Sequence, residues 1–153
     1  MMYRQQTDPF LDVFRRLAIT RGLALANLAS GRHSDFVVIT AAATLAFEMG
    51  RDYSEREVNA VLCEWLAGPG AMLATDHVEL RRTLVDCRLL RRDDYGRRYG
   101  RGAAPDAWQA PLDALADVDL AAEAYAVRAA DAQRRADRKA QWERRAGAAA
   151  LPQ

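Results

Sequence analysis

The sequence predicts a mainly α protein with a small β wing: a winged helix-turn-helix-like core, an N-terminal helix before it and a long C-terminal helix after it. Three observations carry this. Between Arg51 and Arg88, two capped amphipathic patterns follow one another across a Gly68-Pro69-Gly70 break. Two short arginine-rich strand patterns then flank Asp94, Tyr95 and Gly96. From Trp108 onward the chain is alanine-rich, with no strand signal. These features divide it into an N-terminal helix and connector (1–33), a winged-helix-like domain (34–101), and a linker with an Ala/Arg-rich helical tail (102–153).

In chain order, Asp8 and Pro9 start a helix, aspartate as cap and proline at the first helical position. Phe10, Val13, Phe14 and Leu17 give it one apolar face, and it should end near Gly22. Leu23 to Leu28 fits either a short strand or a helical turn. Ser34 and Asp35 open a very apolar helix running through Phe36, Val37, Val38, Ile39, Leu45, Phe47 and Met49 to a Gly50 cap. Lacking a polar face, it is expected to lie deep, under both later helices.

Ser54 and Glu57 form a capping box for the next helix, which buries Val58, Val61, Leu62, Trp65 and Leu66. Asp76 and Glu79 repeat the box. Leu80, Leu84 and Cys87 then form the buried stripe of the second helix, widened by Val78 and Val85. Leu89 to Arg92 fits one strand of the wing and Arg97 to Tyr99 the other.

The stretches Tyr53 to Asn59, Leu80 to Asp86, Leu89 to Arg91 and Gly96 to Tyr99, in that order, resemble the signature of the bacterial domain of unknown function 2087. The resemblance covers about the middle third of the chain. It implies a winged-helix-like fold and a regulatory role.

Composition sets bounds on function. Half the residues are apolar, enough for a core, and the net charge is only +1, so any nucleic-acid binding has to come from local charge. Cys63 and Cys87 stand apart with no CxxC, which suits free thiols in a reducing cytosol. The opening MMYRQQTDPF has no apolar signal core, and no run reaches the roughly 20 residues of a membrane span. A cytoplasmic protein without a membrane segment is expected.

The local charge lies between Arg81 and Arg101. Arg81, Arg82, Arg88, Arg91, Arg92, Arg97, Arg98 and Arg101 face only Asp86, Asp93 and Asp94 there. Arginine suits phosphate because its planar fork donates in pairs and stays charged. Strand alternation should send Arg92 and one of Arg97 or Arg98 to the same outer face. The alternative is that an exposed hairpin is charged simply to protect its edges from unwanted pairing. On the second helix, Arg82 has Glu79 and Asp86 within a turn, so its outer face should be largely self-neutralised.

In the tail, Leu112, Leu115, Val118, Ala122, Tyr125 and Ala129 are spaced as one helical stripe, with acids early and bases late. The stripe either docks on its own domain or pairs with a second subunit or partner protein; Leu112, Leu115, Val118 and Tyr125 are the candidate contacts. Catalysis is not expected. His33 and His77 have no second ligand at metal spacing, no phosphate-cradling glycine pattern opens a helix, and nothing calls for a cofactor, metal or small-molecule substrate. Two functions remain: a dimeric DNA-binding transcriptional regulator with an Arg-rich wing, or a non-catalytic protein-interaction module with a helical docking tail.

Overall fold

The computed structural model describes residues 8–150. It is mainly helical with one small sheet. In order the elements are α1 (Pro9–Ala18), α2 (Leu25–Gly31), α3 (His33–Thr44), β1 (Tyr53–Ser54), α4 (Glu55–Ala67), α5 (His77–Asp86), β2 (Leu90–Arg92), β3 (Arg98–Arg101), α6 (Asp106–Leu115) and α7 (Leu120–Ala149). From α3 to β3 this is the element order of a winged helix. The three strands are antiparallel in the order β1-β3-β2.

Asp8 caps α1 as expected, its carboxylate accepting from the Phe10 amide at 2.8 Å. Phe14, Leu17 and Ala18 are buried. The ambiguous run at Leu23 holds both alternatives: Leu23 makes a parallel bridge to Leu73, and α2 starts two residues later.

The apolar helix is shorter than its pattern. α3 stops at Thr44 and the chain turns there, returning Phe47 to the core while Met49 is 67% exposed. The Thr40 and Thr44 hydroxyls donate back to the Phe36 and Thr40 carbonyls, local bonds that satisfy both buried hydroxyls. Ser34 and Asp35 do not cap it either. The cap position is Arg32, and Asp35 lies one turn in, where it accepts from Arg16 at 2.6 Å and from Arg32 at 2.6 Å. Every residue from Asp35 to Thr44 is buried. The cover comes mainly from α1, α2 and α6, rather than from the two later helices. Trp108 of α6 completes it, its indole N–H donating to the buried Thr40 hydroxyl at 2.9 Å.

The capping box on α4 is complete, Ser54 and Glu57 bonding each other's backbone amides. On α5 only half of it forms. Asp76 accepts from the Glu79 amide, but the Glu79 carboxylate takes the Thr75 hydroxyl instead, at 2.7 Å. Trp65 closes the α4–α5 connection by packing on Gly70, where a Cβ would stand 2.2 Å from the ring. Tyr53 ties β1 to the core: its hydroxyl accepts from the Glu48 amide at 2.8 Å and its ring meets Phe47 edge-on at 5.1 Å.

The tail is two helices, so the single stripe does not form. The chain breaks at Ala116–Asp119, which turns the following residues to new faces. Leu112 and Leu115 are buried in the chain's own core, Val118 is half-buried in the break, and Tyr125 is 77% exposed. That corrects the reading of Leu112 and Leu115 as partner contacts, since their surfaces are already covered. The first half of α7 docks through Leu120 and Ala124, through Glu123 to Arg15 at 2.9 Å, and through Arg128. The Arg128 guanidinium donates to the carbonyls of Ala18, Gly68 and Pro69, satisfying acceptors at the ends of α1 and α4.

Burial alone would push the Asp35 carboxyl up, but the hydrogen bonds and charges of Arg16 and Arg32 outweigh it and hold it below the ordinary range. A depressed folded pKa gives stability that is present above the unfolded pKa, about 4, and is lost as pH falls through the folded one. Asp35→Asn should therefore cost about 1–3 kcal/mol at neutral pH and flatten the acid limb. Urea denaturation across pH checks this; an unchanged acid limb would contradict it.

Candidate nucleic-acid interface

The basic surface is built on α5 and the β2–β3 hairpin. The hairpin turn is held from within by Asp93, whose carboxylate accepts from the Arg97 amide at 2.8 Å. Slight burial raises that carboxyl's pKa, but the backbone amides of Arg97, Arg98, Gly96 and Tyr95 outweigh this and hold it low. Gly96 has φ of +66°, and a Cβ there would meet the Arg92 guanidinium at 2.4 Å. Both its backbone and its bare α-carbon are therefore in use.

Register sorts the arginines. Arg92 pairs across the sheet with Tyr99, and Leu90 with Arg101. Tyr99 is buried. Arg92 is thus on the side of the sheet that faces α5, while Arg91 and Arg98 share the opposite side. Of the two residues expected to share a face with Arg92, the register excludes Arg98. Arg97 lies outside the strands, in the turn, and is exposed.

Two of the eight candidates turn inward. Arg81 is bonded to Asn59 at 2.6 Å and to Glu55 at 3.1 Å, and lies 5.8 Å from the centre of the Tyr99 ring. It joins α5 to α4 and to the sheet. Arg101 is half-buried near Tyr53; burial lowers its pKa, and its Nε has no hydrogen-bond partner among the described residues.

The other six are exposed. Arg82, Arg88, Arg91, Arg92 and Arg97 make no ion pair among the described residues, and Arg98 meets Asp52 only at 3.8 Å. Arg82 was expected to be neutralised by its neighbours, but Glu79 is engaged by Thr75 and Asp86 is beyond ion-pair distance. Arg88 ends α5 with φ of +62°, the left-handed conformation that stops a helix. Between α5 and the hairpin lies a groove of about 150 Å³ lined by Val78, Arg81, Arg82, Val85, Asp86, Arg92 and Tyr99. Val78 was expected in the buried stripe but is 38% exposed at this groove.

Other chemistry is sparse. Among the described residues no group of three His, Cys, Asp or Glu side chains could hold a metal ion, and no helix is long and apolar enough to cross a membrane. Cys63 is exposed, and burial, with the charge of Asp86, pushes the Cys87 thiol up. His33 packs against Phe36 and Trp108.

The fold and this groove give a mainly α domain with a small β wing and a basic helix-and-hairpin face. Residues 24–101 match the bacterial family described as an uncharacterised protein conserved in bacteria, domain of unknown function 2087, and the chain belongs to that family. The match runs from just before α2 to the last residue of β3, leaving α1, α6 and α7 outside it. Neither the curated proteins nor the solved structures gave a match.

Arg81 points inward and Arg82 outward, so their losses should differ. Arg81→Ala should lower stability by about 1–3 kcal/mol, because it strips a hydrogen-bonded, half-buried cation from three elements. Arg82→Ala should stay within about 0.5 kcal/mol of the parent. Denaturant titration of both variants decides; equal losses would show that Arg82 is also structural.

Proposed function

We propose that the chain is a DNA-binding regulator whose α5 and hairpin arginines engage the phosphate backbone of duplex DNA. The observation that carries this reading is the set Arg82, Arg88, Arg92 and Arg97, exposed and without an ion pair among the described residues, on α5 and the adjoining hairpin of a winged-helix-like domain, with Arg91 on the hairpin's other side. Four exposed cations with no ion-pair partner among the described residues attract polyanions, and guanidinium forks match phosphate. Val78 and Val85 beside Arg82 give α5 the mixed chemistry of a helix that meets base edges, apolar contact for a thymine methyl and a bidentate donor for guanine. Asp86, on the groove rim, opposes phosphate and favours a cytosine amine. The hairpin, with most of the free arginines, supplies affinity, and α5 supplies a narrow reading surface.

A second reading, a protein-interaction module docking through the tail, is favoured by Tyr125, 77% exposed on the docked half of α7. One titration separates the two. Fluorescence anisotropy with a mixed-sequence duplex should show binding at low salt that falls as salt rises. Arg92→Ala/Arg97→Ala should reduce the log–log slope by about 2, since each phosphate contact contributes about 0.9. No binding at low salt would remove the DNA reading and leave the tail as the place to look.

A further inference from the structure

The 30-residue helix α7 is about 45 Å long at 1.5 Å per residue, but only its first half rests on the body. Leu120 and Ala124 are buried and Val127, Arg128 and Asp131 half-buried; from Ala132 to Ala150 every residue but Ala140 is exposed. The helical period carries the docking seam past the edge of the body as Arg135, Arg138, Trp142 and Arg145, at intervals of three, four and three. The two acids of this half, Asp137 and Glu143, point away from that seam.

Charge is gathered here as it is on the hairpin. Residues 132–150 hold six bases against two acids, and residues 81–101 eight against three; the remainder of the chain has eight bases against sixteen acids. A net charge of +1 thus conceals two basic segments on an acidic protein. Arg134 and Arg135 are tied to Asp131, and Lys139 approaches Glu143 at 4.0 Å. Arg138, Arg144 and Arg145 have no ion pair among the described residues, and Trp142 is 70% exposed among them. With two acids for six bases, this half cannot neutralise itself through interleaved pairs. Binding a lipid surface would take a continuous apolar face, and Trp142 is the one large apolar side chain present. An indole N–H, a donor only, suits a phosphate acceptor.

The arm leaves the body at the α4–α5 connection. Arg128 holds the Gly68 and Pro69 carbonyls, and Arg135 borders the same cleft as Ala71 and Met72, on the segment that ends in the Asp76 cap of α5. We propose that residues 134–145 form a basic arm that lies along the phosphate backbone of the same duplex, flanking the contact made by α5 and the hairpin. This rests on the DNA reading above and extends its footprint beyond the winged core.

The test compares the full chain with Arg135→Gln/Arg138→Gln/Arg145→Gln on duplexes of about 12 and about 30 base pairs, the shorter just spanning one helical turn, by anisotropy across salt. Glutamine keeps helix propensity, so circular dichroism should be unchanged. On the long duplex the variant's salt slope should be shallower by about 2.5, from three lost contacts. On the short one the two proteins should coincide. Identical behaviour on both lengths overturns the arm and leaves the core reading intact. Equal losses on both lengths also overturn it, since the contact would then fall inside the core footprint. Absence of parent binding to either duplex sinks both readings, as would capture of the parent only by phosphatidylglycerol vesicles run in parallel.

Discussion

The fold depends on burying α3. A helix apolar all round cannot lie at a surface, and its ten residues from Asp35 to Thr44 are covered on every side. The cover is drawn from both ends of the chain: α1 and α2 before it and α6 after it. Two polar requirements fix its orientation. The buried Trp108 indole N–H needs an acceptor in the interior and finds the Thr40 hydroxyl; Asp35 needs cations and receives Arg16 and Arg32 at the rim. The family segment, residues 24–101, therefore holds α3 but not all of its cover. In this chain α1 and α6 complete the domain, and α7 is pinned to it by Arg128.

With α3 covered from that side, the outer faces of α5 and the hairpin are left open to solvent. The same cation type is used there in two ways. Arg81 and Arg101 are drawn inward, one by two polar partners and an aromatic ring, the other by its register opposite Leu90. The others remain outside, where sheet alternation, the turn and the end of α5 leave all but Arg98 without an ion pair among the described residues. Asp93, which composition alone would set against those arginines, is held by the backbone amides of its own turn.

Much of the architecture was legible in the sequence because it rests on local rules. The Asp8-Pro9 start, the Ser54/Glu57 box and the hairpin around Gly96 each follow from a few adjacent residues. What was not legible depends on distant partners. The stop of α3 at Thr44 arises where Phe47 turns back into the core, which periodicity cannot see. The tail stripe failed because the break at Ala116–Asp119 shifts phase between Leu115 and Tyr125. Among the basic residues, alternation without the register left open whether Arg97 or Arg98 shares a face with Arg92; the pairing of Arg92 with Tyr99 excludes Arg98. The inward role of Arg81 depends on Asn59 and Glu55, one helix away, and no local signal marks it.

On the proposed function, α5 and the hairpin form an anion-binding face on a body organised by α3. Hydrogen–deuterium exchange of the full chain, with and without a mixed-sequence duplex at low salt, tests it most directly. The account predicts slowed exchange in residues 77–101 on adding DNA, with α1 and α3 unchanged. Protection confined to other segments, with 77–101 exchanging as in the free chain, would contradict it.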